Sequence, residues 1–288
     1  MKSIPPPHPD PHRPALALPA NACDAHCHIF GPGDRFPYSP DRAYTPPDAP
    51  LERFEALQRR LGLQRAVFVQ ASCHGTDNAA MLDALRRGNG RYAGVAMIDP
   101  GFSDAAIAEL HDAGVRGTRF NFVAHLGGAP DLDEFWSVVE RVAPLGWHIV
   151  LHFDAVDIPR YAGLLDRMPC PYVIDHMGRA PVTDGVAQEP FQRLLGLMAD
   201  ERCWVKISGA ERLTADGAAP YDDVVPFARA LIAAAPDRVL WGTDWPHPNV
   251  RVMPDDGDLV DVLAQFAPDD ALRTQILVTN PTTLYEFA

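Results

Sequence analysis

The sequence predicts an α/β fold, a (β/α)8 barrel of the TIM type, because about eight short apolar segments alternate with segments of helical periodicity. The apolar segments are continuous, which is typical of parallel strands that are buried on both faces. No GxGxxG turn follows the first segment, and neither GxxxxGKS nor GxxxxGKT occurs, so an open nucleotide-binding sheet is disfavoured. A chain of 288 residues with 47% hydrophobic residues suits one domain of this kind.

Residues 1–20 are rich in proline and lack the apolar segment of a signal peptide, so we expect a flexible arm there. We expect residues 21–288 to form a single catalytic domain. No run of about 18 apolar residues is present, which argues against a membrane span. Together these features predict a cytoplasmic protein.

The elements of the predicted barrel follow from the periodicity of the apolar residues. The predicted strands are Ala22–His28, Ala66–Gln70, Tyr92–Ile98, Val115–Phe122, Trp147–His152, Cys170–Asp175, Trp204–Ile207 and Arg238–Gly242. The predicted helices are Leu51–Leu61, Thr76–Arg87, Asp104–Ala113, Leu132–Val142, Ile158–Arg167, Phe191–Met198, Tyr221–Ala234, Asp258–Phe266 and Ala271–Leu277. The segment 31–50, rich in Pro, Gly and Asp, is predicted to be a loop.

Polar residues lie at the carboxyl ends of these strands, where the active site of such a barrel is located. His26 and His28 end the first strand, and Asp244 follows the last strand. Between them the strand ends carry Ser72, Arg119, His125, His152, His176 and Arg212. A single histidine at a strand end is more often a hydrogen-bonded structural residue than a ligand. Four histidines at the same edge of the barrel favour a functional site instead.

Histidines beside an acidic residue support hydrolysis of an ester, lactone or amide in two ways. In the first, the histidines and the aspartate hold a divalent ion such as zinc, which activates water and polarises the carbonyl. The ligands would be His26, His28, His152, His176 and Asp244. In the second there is no metal, the histidines donate hydrogen bonds to the developing oxyanion, and Asp244 is the general base. The sequence leaves both alternatives open.

The net charge of −13 disfavours nucleic acid and anionic membranes as partners. Arginines near the predicted site can still bind an anionic substrate, although each of Arg119, Arg179 and Arg212 taken singly is also explained as a surface or ion-pair residue. The cysteines are five in number and show no CxxC spacing, which predicts reduced thiols. Cys23 and Cys27, on either side of the HxH motif, leave a zinc–thiolate site as an alternative to buried thiols. No feature of the sequence predicts the oligomeric state.

Five segments, in order, resemble the amidohydrolase superfamily, in particular the branch of 2-pyrone-4,6-dicarboxylate lactonase and related sugar-acid lactonases. The segments are DAHCHIFGP, QASCHGTDN, VRGTRFNFV, IDHMGR and WGTDWPHPN, and the resemblance runs from about Cys23 to the C-terminus. It implies an amidohydrolase-like barrel that hydrolyses a small anionic lactone from aromatic or sugar-acid catabolism. HxH alone is a weak motif, whereas five motifs at matching strand positions are specific.

The resemblance also implies roles for particular residues. His26, His28 and His176 would line the site of the carbonyl and the water, and Asp244 would activate the water. The implied substrate-binding residues are Tyr44, Ser72, Arg119, Arg179 and Arg212.

Two further positions in the predicted substrate site depart from the pyrone lactonases. His125 stands where those enzymes have arginine, which removes one group that binds a carboxylate. His152 stands where they have tyrosine, and it completes the histidine set of the metal-dependent members of the superfamily. Because the pyrone lactonases resembled here are metal-independent, the resemblance leaves the cofactor open between none and one divalent metal such as zinc.

Two other functions remain compatible with the sequence. A metal-dependent, non-oxidative decarboxylase of an aromatic or muconate-type acid uses a similar set of histidines and an aspartate on the same barrel. A barrel that binds an acidic metabolite without reaction is the non-enzymatic alternative. The presence of Asp244 together with the strand-end histidines favours an enzyme.

Overall fold

The computed structural model describes residues 2–287, and it contains the eight-stranded parallel barrel sheet that the sequence predicts. The barrel strands pair in sequence order, and helices connect them, so the strands are almost entirely buried. A separate short parallel pair lies outside the barrel. The strands are β1 (Lys2–Ser3), β2 (Cys23–Cys27), β3 (Tyr44–Thr45), β4 (Arg65–Val69), β5 (Tyr92–Ala96), β6 (Val115–Asn121), β7 (His148–His152), β8 (Tyr172–Ile174), β9 (Cys203–Lys206) and β10 (Val239–Leu240). Strands β1 and β3 form the separate pair.

The barrel closes between the segment after β10 and strand β2. The backbone N–H of Ala25 donates to the carbonyl oxygen of Trp241 at 2.8 Å, and that of Asp244 donates to the carbonyl oxygen of His26 at 2.7 Å. Gly242 permits this close approach, because a Cβ atom at that position would overlap the backbone nitrogen of His26. The closure therefore places Asp244 directly beside the HxH motif, as the sequence pattern predicted.

All nine predicted helices are present with ends within four residues of the prediction, except that Asp258–Phe266 is divided into two shorter helices. Their bounds are α1 (Leu51–Leu61), α2 (Ala79–Gly88), α3 (Asp104–Asp112), α4 (Leu132–Val142), α5 (Ile158–Asp166), α6 (Glu189–Leu197), α7 (Ala210–Leu213), α8 (Val225–Ala234), α9 (Asp256–Asp261), α10 (Leu263–Phe266), α11 (Asp270–Thr274) and α12 (Asn280–Tyr285). Helices α7 and α12 were not predicted, and α12 has Pro281 in its first turn. Proline is tolerated in the first turn of a helix, where its missing N–H has no intrahelical partner.

Apolar side chains fill two layers, one inside the barrel and one between the sheet and the helices. On β4, Val67 and Val69 belong to the inner layer, whereas Ala66 and Phe68 pack with the helices. This alternation is the period of two expected for a strand. The amino half of the barrel interior is therefore mostly apolar, with His148 buried there against Tyr285, and the polar side chains of the site lie at the carboxyl end.

Strand β2 departs from strict alternation. Cys23 and Ala25 belong to the inner layer, but Cys27 packs with the outer layer. The pairing with β4 shifts register between Asp24 and Cys27, which is the signature of a β-bulge. The bulge lets His26 follow Ala25 into the barrel interior.

Residues 2–20 of the predicted arm contact the barrel. Ile4 is buried, and its backbone nitrogen donates to the carbonyl oxygen of Thr45 at 3.3 Å. The backbone nitrogen of Leu16 donates to Asp261 Oδ1 at 2.8 Å. The flexibility of the arm and the division of the chain at residue 20 stay predictions. Within residues 2–287 every helix is too short or too polar to cross a bilayer.

Candidate active site

Asp244 and three histidines form a buried group at the carboxyl end of the barrel. Asp244 Oδ1 lies 3.1 Å from His28 Nε2 and 3.5 Å from His26 Nε2, and Oδ2 lies 4.0 Å from His176 Nε2. The Nδ1–H of His28 donates to the carbonyl oxygen of Val69 at 2.8 Å, which directs Nε2 toward the aspartate. Both imidazoles of the HxH motif thus reach the same carboxylate.

The other two predicted histidines are oriented by polar residues on neighbouring strands. His176 Nδ1 is hydrogen-bonded to Ser208 Oγ at 2.9 Å, and His152 Nδ1 is hydrogen-bonded to Asn121 Oδ1 at 3.1 Å. Such partners fix the orientation of an imidazole and leave the opposite nitrogen for chemistry. The Nε2 atoms of His152 and His176 therefore face the site and are available for chemistry there.

The backbone is in the left-handed region at three of the predicted site residues. The φ angles of His176, Arg179 and Asp244 are +50°, +50° and +63°. Residues other than glycine rarely adopt this conformation, and where they do they cluster at functional sites. The turns after β8 and β10 thus direct side chains into the site at some conformational cost.

Below these groups lies a buried charged layer, which we call the floor and define as His26, Arg119, Asp175 and Lys206. Arg119 Nε donates to Asp175 Oδ2 at 3.1 Å, and Lys206 Nζ lies 3.2 Å from Asp175 Oδ1. Lys206 Nζ is also 3.0 Å from His26 Nδ1. Arg119 is 6% exposed and the other three side chains are inaccessible to solvent, so these contacts are shielded from water.

The buried environment separates the site into neutral imidazoles and ionised carboxylates. Burial lowers the pKa of His176 to about 3 and holds the pKa of His26 and His152 well below the usual value. Burial by itself would raise the pKa of Asp244, but Arg212 and the three imidazoles together outweigh this effect and hold that pKa well below the usual range. Asp244 is thus a carboxylate that can accept a proton only when its surroundings change.

The opening of the site consists of a narrow cavity and a wider one outside it. The inner cavity has a volume of about 40 Å³ and is lined by His28, Tyr44, Ser72, Arg119, His125, Leu126, His152, His176, Arg179, Arg212, Asp244, Pro248 and Asn249. The outer cavity, of about 450 Å³, shares Tyr44, His125, Leu126, Arg179, Arg212 and Asn249 and adds Lys2, Ala43, Glu211, Val250 and Arg251. Cationic side chains thus line both cavities of an acidic protein.

We define the mouth of the site as Tyr44, His125, Arg179 and Arg251, which lie around the outer cavity. Arg179 Nε donates to Asp154 Oδ1 at 2.6 Å, with 28% and 40% of the two side chains exposed. The Tyr44 hydroxyl is 3.4 Å from Ser72 Oγ. The ion pair of the mouth is therefore partly exposed to solvent and weaker than those of the floor, whereas Tyr44 is buried.

Between floor and mouth, Arg212 links the two acidic residues of the site. Its guanidinium forms a close ion pair with Asp244 Oδ2, and its Nε lies 3.3 Å from Glu211 Oε1. Neither oxygen of Glu211 has a hydrogen-bond partner that satisfies normal geometry, although the side chain is buried. Burial raises the pKa of Glu211 to about 6.

The donor set fits a divalent ion such as zinc. One nitrogen each from His26 and His176 and one oxygen from Asp244 lie within 4.8 Å of one another, the only such group among residues 2–287. The Nε2 atoms of His26 and His152 are buried without hydrogen-bond partners. No cysteine belongs to the group, and all five cysteines are buried free thiols.

The structure brings together all the residues that the sequence placed in the site. Every predicted substrate-binding residue lines the inner cavity, and His26 lies behind Asp244. Asp175, Lys206 and Glu211 received no role from the sequence, although each lies at or just after a strand end. A charged residue ending an apolar strand, as in the Cys-Trp-Val-Lys of β9, was the signal that could have identified Lys206.

Comparison with known proteins identifies relatives over nearly the whole chain. The family model described as amidohydrolase matches residues 23–287. A 2-pyrone-4,6-dicarboxylate hydrolase of Comamonas testosteroni is 48% identical over 285 residues, which cover 96% of this chain and 93% of the relative. A 4-sulfomuconolactone hydrolase of Rhizobium radiobacter is 43% identical, covering 94% of this chain and 92% of the relative.

A solved structure shows the same fold. The crystal structure named for a 2-pyrone-4,6-dicarboxylic acid hydrolase from Pseudomonas putida superposes with a TM-score of 0.82 at 34% sequence identity. The match covers 94% of this chain and 99% of that chain. The barrel inferred from the strand pairing thus agrees with an experimental structure.

Proposed function

The chain belongs to the amidohydrolase family, and on that premise we propose that it hydrolyses the lactone ring of a small carboxylated substrate. The observation that carries the proposal is the Asp244 carboxylate, buried among imidazoles below a cavity that is lined by arginines. A carboxylate in this position suits activation of water, and the arginines suit recognition of an anionic substrate.

In the proposed mechanism Asp244 accepts a proton from water while the water oxygen attacks the lactone carbonyl. His26 and His176 stabilise the negative charge that develops on the carbonyl oxygen, and His28 lies beside the carboxylate of Asp244. Collapse of the tetrahedral intermediate breaks the ring bond between the carbonyl carbon and the ring oxygen. Asp244 then returns its proton to the leaving oxygen, so the products are an open-chain acid and the regenerated enzyme.

Substrate recognition is assigned to the residues that line the inner cavity. Arg119, Arg179 and Arg212 supply positive charge for anionic groups of the substrate, and Tyr44 and Ser72 supply hydroxyl groups. His125 and His152 are the remaining residues proposed to bind the substrate. The named relatives act on a pyrone dicarboxylate and on a sulfonated muconolactone, so we propose an anionic lactone of that class, from aromatic or sugar-acid catabolism.

A metal ion is compatible with this site without being required by it. His26, His176 and Asp244 would hold it, with His28 and His152 as further imidazoles. When bound, a zinc ion would supply polarisation of the carbonyl and a lower pKa of water. We propose that the reaction proceeds without metal or with a weakly bound one, because Asp244 already contacts imidazoles directly. A cytoplasmic location and the absence of nucleic-acid partners stay predictions of the sequence.

The test is a panel of lactones assayed with purified protein, with and without a chelator. The panel includes 2-pyrone-4,6-dicarboxylate, muconolactones and sugar lactones, with ring opening followed by absorbance and by proton release. We expect hydrolysis of an anionic member of the panel that survives the chelator. Release of carbon dioxide from an aromatic acid without lactone hydrolysis would contradict the proposal and favour a decarboxylase. Stoichiometric zinc, with activity abolished by the chelator, would contradict the metal-free part.

A further inference from the structure

We propose that Lys206 is a positioning residue that keeps His26 in the tautomer with its proton on Nε2. The inference rests on the proposed function for the role of His26, but the tautomer itself is a property of the resting protein. Lys206 does not line either cavity of the site, so it does not contact the substrate. It acts through the imidazole of His26.

Lys206 is unusual in this protein on two counts. The chain has 25 lysine and arginine residues, of which only Lys2 and Lys206 are lysines. Lys2 is exposed, whereas Lys206 is completely buried inside the barrel. Burial of an ammonium group costs several kcal/mol unless it is paired and hydrogen-bonded, so such a residue needs specific partners.

The partners of the ammonium group are Asp175 and His26. Nζ lies 3.2 Å from Asp175 Oδ1 and 3.0 Å from His26 Nδ1. Asp175 also accepts from Arg119 Nε at 3.1 Å, and both basic groups favour its ionised form. Burial lowers the pKa of Lys206, but the ion pair with Asp175 opposes that shift and favours the ammonium form, which donates hydrogen bonds and accepts none.

A donor at 3.0 Å from His26 Nδ1 determines which ring nitrogen holds the proton. A proton on Nδ1 would face the protons of the ammonium, so Nδ1 must be the acceptor. The neutral ring then carries its proton on Nε2, which lies 3.5 Å from Asp244 Oδ1. His26 therefore presents an N–H toward the carboxylate and toward a carbonyl oxygen bound next to it, where negative charge develops.

The alternative tautomer has a proton on Nδ1 that is donated to Asp175. Its geometry is poorer, because Nδ1 is 3.3 Å from Asp175 Oδ1 and that contact lacks the alignment of a hydrogen bond. His28 shows the contrasting case. Its Nδ1 lies 2.8 Å from the carbonyl oxygen of Val69, a group that can only accept, so Nδ1 of His28 carries a proton. In the HxH motif, the position of the ring proton is thus fixed by Lys206 in His26 and by the carbonyl group of Val69 in His28.

The first experiment observes the protons directly in the unmodified protein. Nuclear magnetic resonance of protein labelled with ¹⁵N at histidine and lysine distinguishes protonated from unprotonated ring nitrogens. We expect His26 to have a protonated Nε2 and an unprotonated Nδ1 at pH 7, with the signals assigned by their loss in His26→Asn. We also expect a slowly exchanging ammonium signal for Lys206, with exposed Lys2 as the reference. A protonated Nδ1 in His26 would overturn the proposal.

The second experiment removes the donor. Lys206→Met keeps most of the side-chain length but cannot donate, so the proton of His26 is free to move to Nδ1 and face Asp175. We expect kcat to fall about 100-fold, with KM changed less than about threefold, because an oxyanion donor is lost. We also expect the affinity for Co²⁺, followed by its visible absorption, to rise about tenfold, since Nε2 gains a lone pair for a metal.

Val205→Ala is the matched control, because Val205 is buried on the same strand but faces the helices. It should lower stability without changing the His26 signals or the Co²⁺ affinity. If Lys206→Met leaves the His26 tautomer and Co²⁺ affinity unchanged, the proposal is wrong. If that variant does not fold, the spectrum of the unmodified protein still decides the tautomer. Absence of lactonase activity in the unmodified protein would contradict the proposed function while leaving the tautomer test intact.

Discussion

The floor and the mouth of the site both contain basic side chains paired with an aspartate, but the ion pairs differ in burial. In the floor, Arg119 and Lys206 share Asp175, and all three side chains are almost completely buried. In the mouth, Arg179 pairs with Asp154 while both remain partly exposed. An ion pair in water contributes little, whereas loss of one partner from a buried pair leaves an uncompensated charge.

This difference in burial indicates that the floor and the mouth have different functions. The floor has no accessible surface for a substrate, except at Arg119, and its contacts instead hold the reacting imidazoles. The mouth has free volume and arginines whose partners are exposed, so a substrate carboxylate can replace those partners. We therefore expect floor variants to affect stability and kcat, and mouth variants to affect KM.

The largest effect is expected for Asp244→Asn, which lies at the boundary between the floor and the mouth. The amide cannot accept the proton of water, so we expect kcat for the active lactone to fall about 10³-fold or more. Binding of the lactone, measured by calorimetry, should persist. A variant that retains more than a tenth of the kcat would show that another group is the base. The thermal midpoint serves as the control for folding.

The next largest effect is expected from Arg119→Gln, which breaks the buried pair of the floor. We expect a loss of about 3 kcal/mol in the free energy of unfolding, because Asp175 loses one of its two basic partners. Urea denaturation followed by circular dichroism measures this change. A loss below about 1 kcal/mol would show that Lys206 alone compensates Asp175.

Glu211 lies between the layers and gives a pH-dependent prediction. Burial raises its pKa from 4.5 to about 6, so the folded state binds a proton more tightly than the unfolded state. The contribution to stability is complete below about pH 4.5 and is lost as pH rises through about 6. We expect Glu211→Gln to be about 2 kcal/mol more stable than the unmodified protein at pH 7, with the difference shrinking toward pH 4.5.

Urea denaturation at several pH values between 4.5 and 7.5 measures this difference. A constant difference across that range would mean that Glu211 does not titrate there. Glu189→Gln is a suitable control, since Glu189 is exposed on α6.

The smallest effect is expected from Arg179→Gln in the mouth. Its partner Asp154 is exposed, so the free energy of unfolding should change by less than about 0.5 kcal/mol. We expect KM for an anionic lactone to rise about tenfold with little change in kcat, because one charged contact with the substrate is lost. Steady-state kinetics test this. A fall in kcat with unchanged KM would assign Arg179 to the chemistry and remove the distinction between floor and mouth.

Much of the fold and of the site was predictable from local patterns. The continuous apolar strands predicted the barrel, and the polar residues at their ends predicted the site, because the carboxyl ends of parallel strands meet at one edge. His28 and Asp244 are far apart along the chain, but their proximity was still predictable, because the first and last strands of a closed barrel are neighbours. Helix α12 was not predicted, although Pro281 lies in its first turn, where proline is tolerated.

Residue types and spacing were sufficient to predict the barrel and the group of imidazoles around Asp244, because these depend on periodicity and on strand order. The family was predicted by the five segments that resemble the amidohydrolases. The tertiary structure decided how the protons and charges of that group are arranged. The bulge in β2 turns His26 inward, and Lys206, 180 positions away along the chain, then lies against its Nδ1. No local pattern specifies such a contact, because it depends on the register of two strands across the barrel and on the exclusion of water from the space between them.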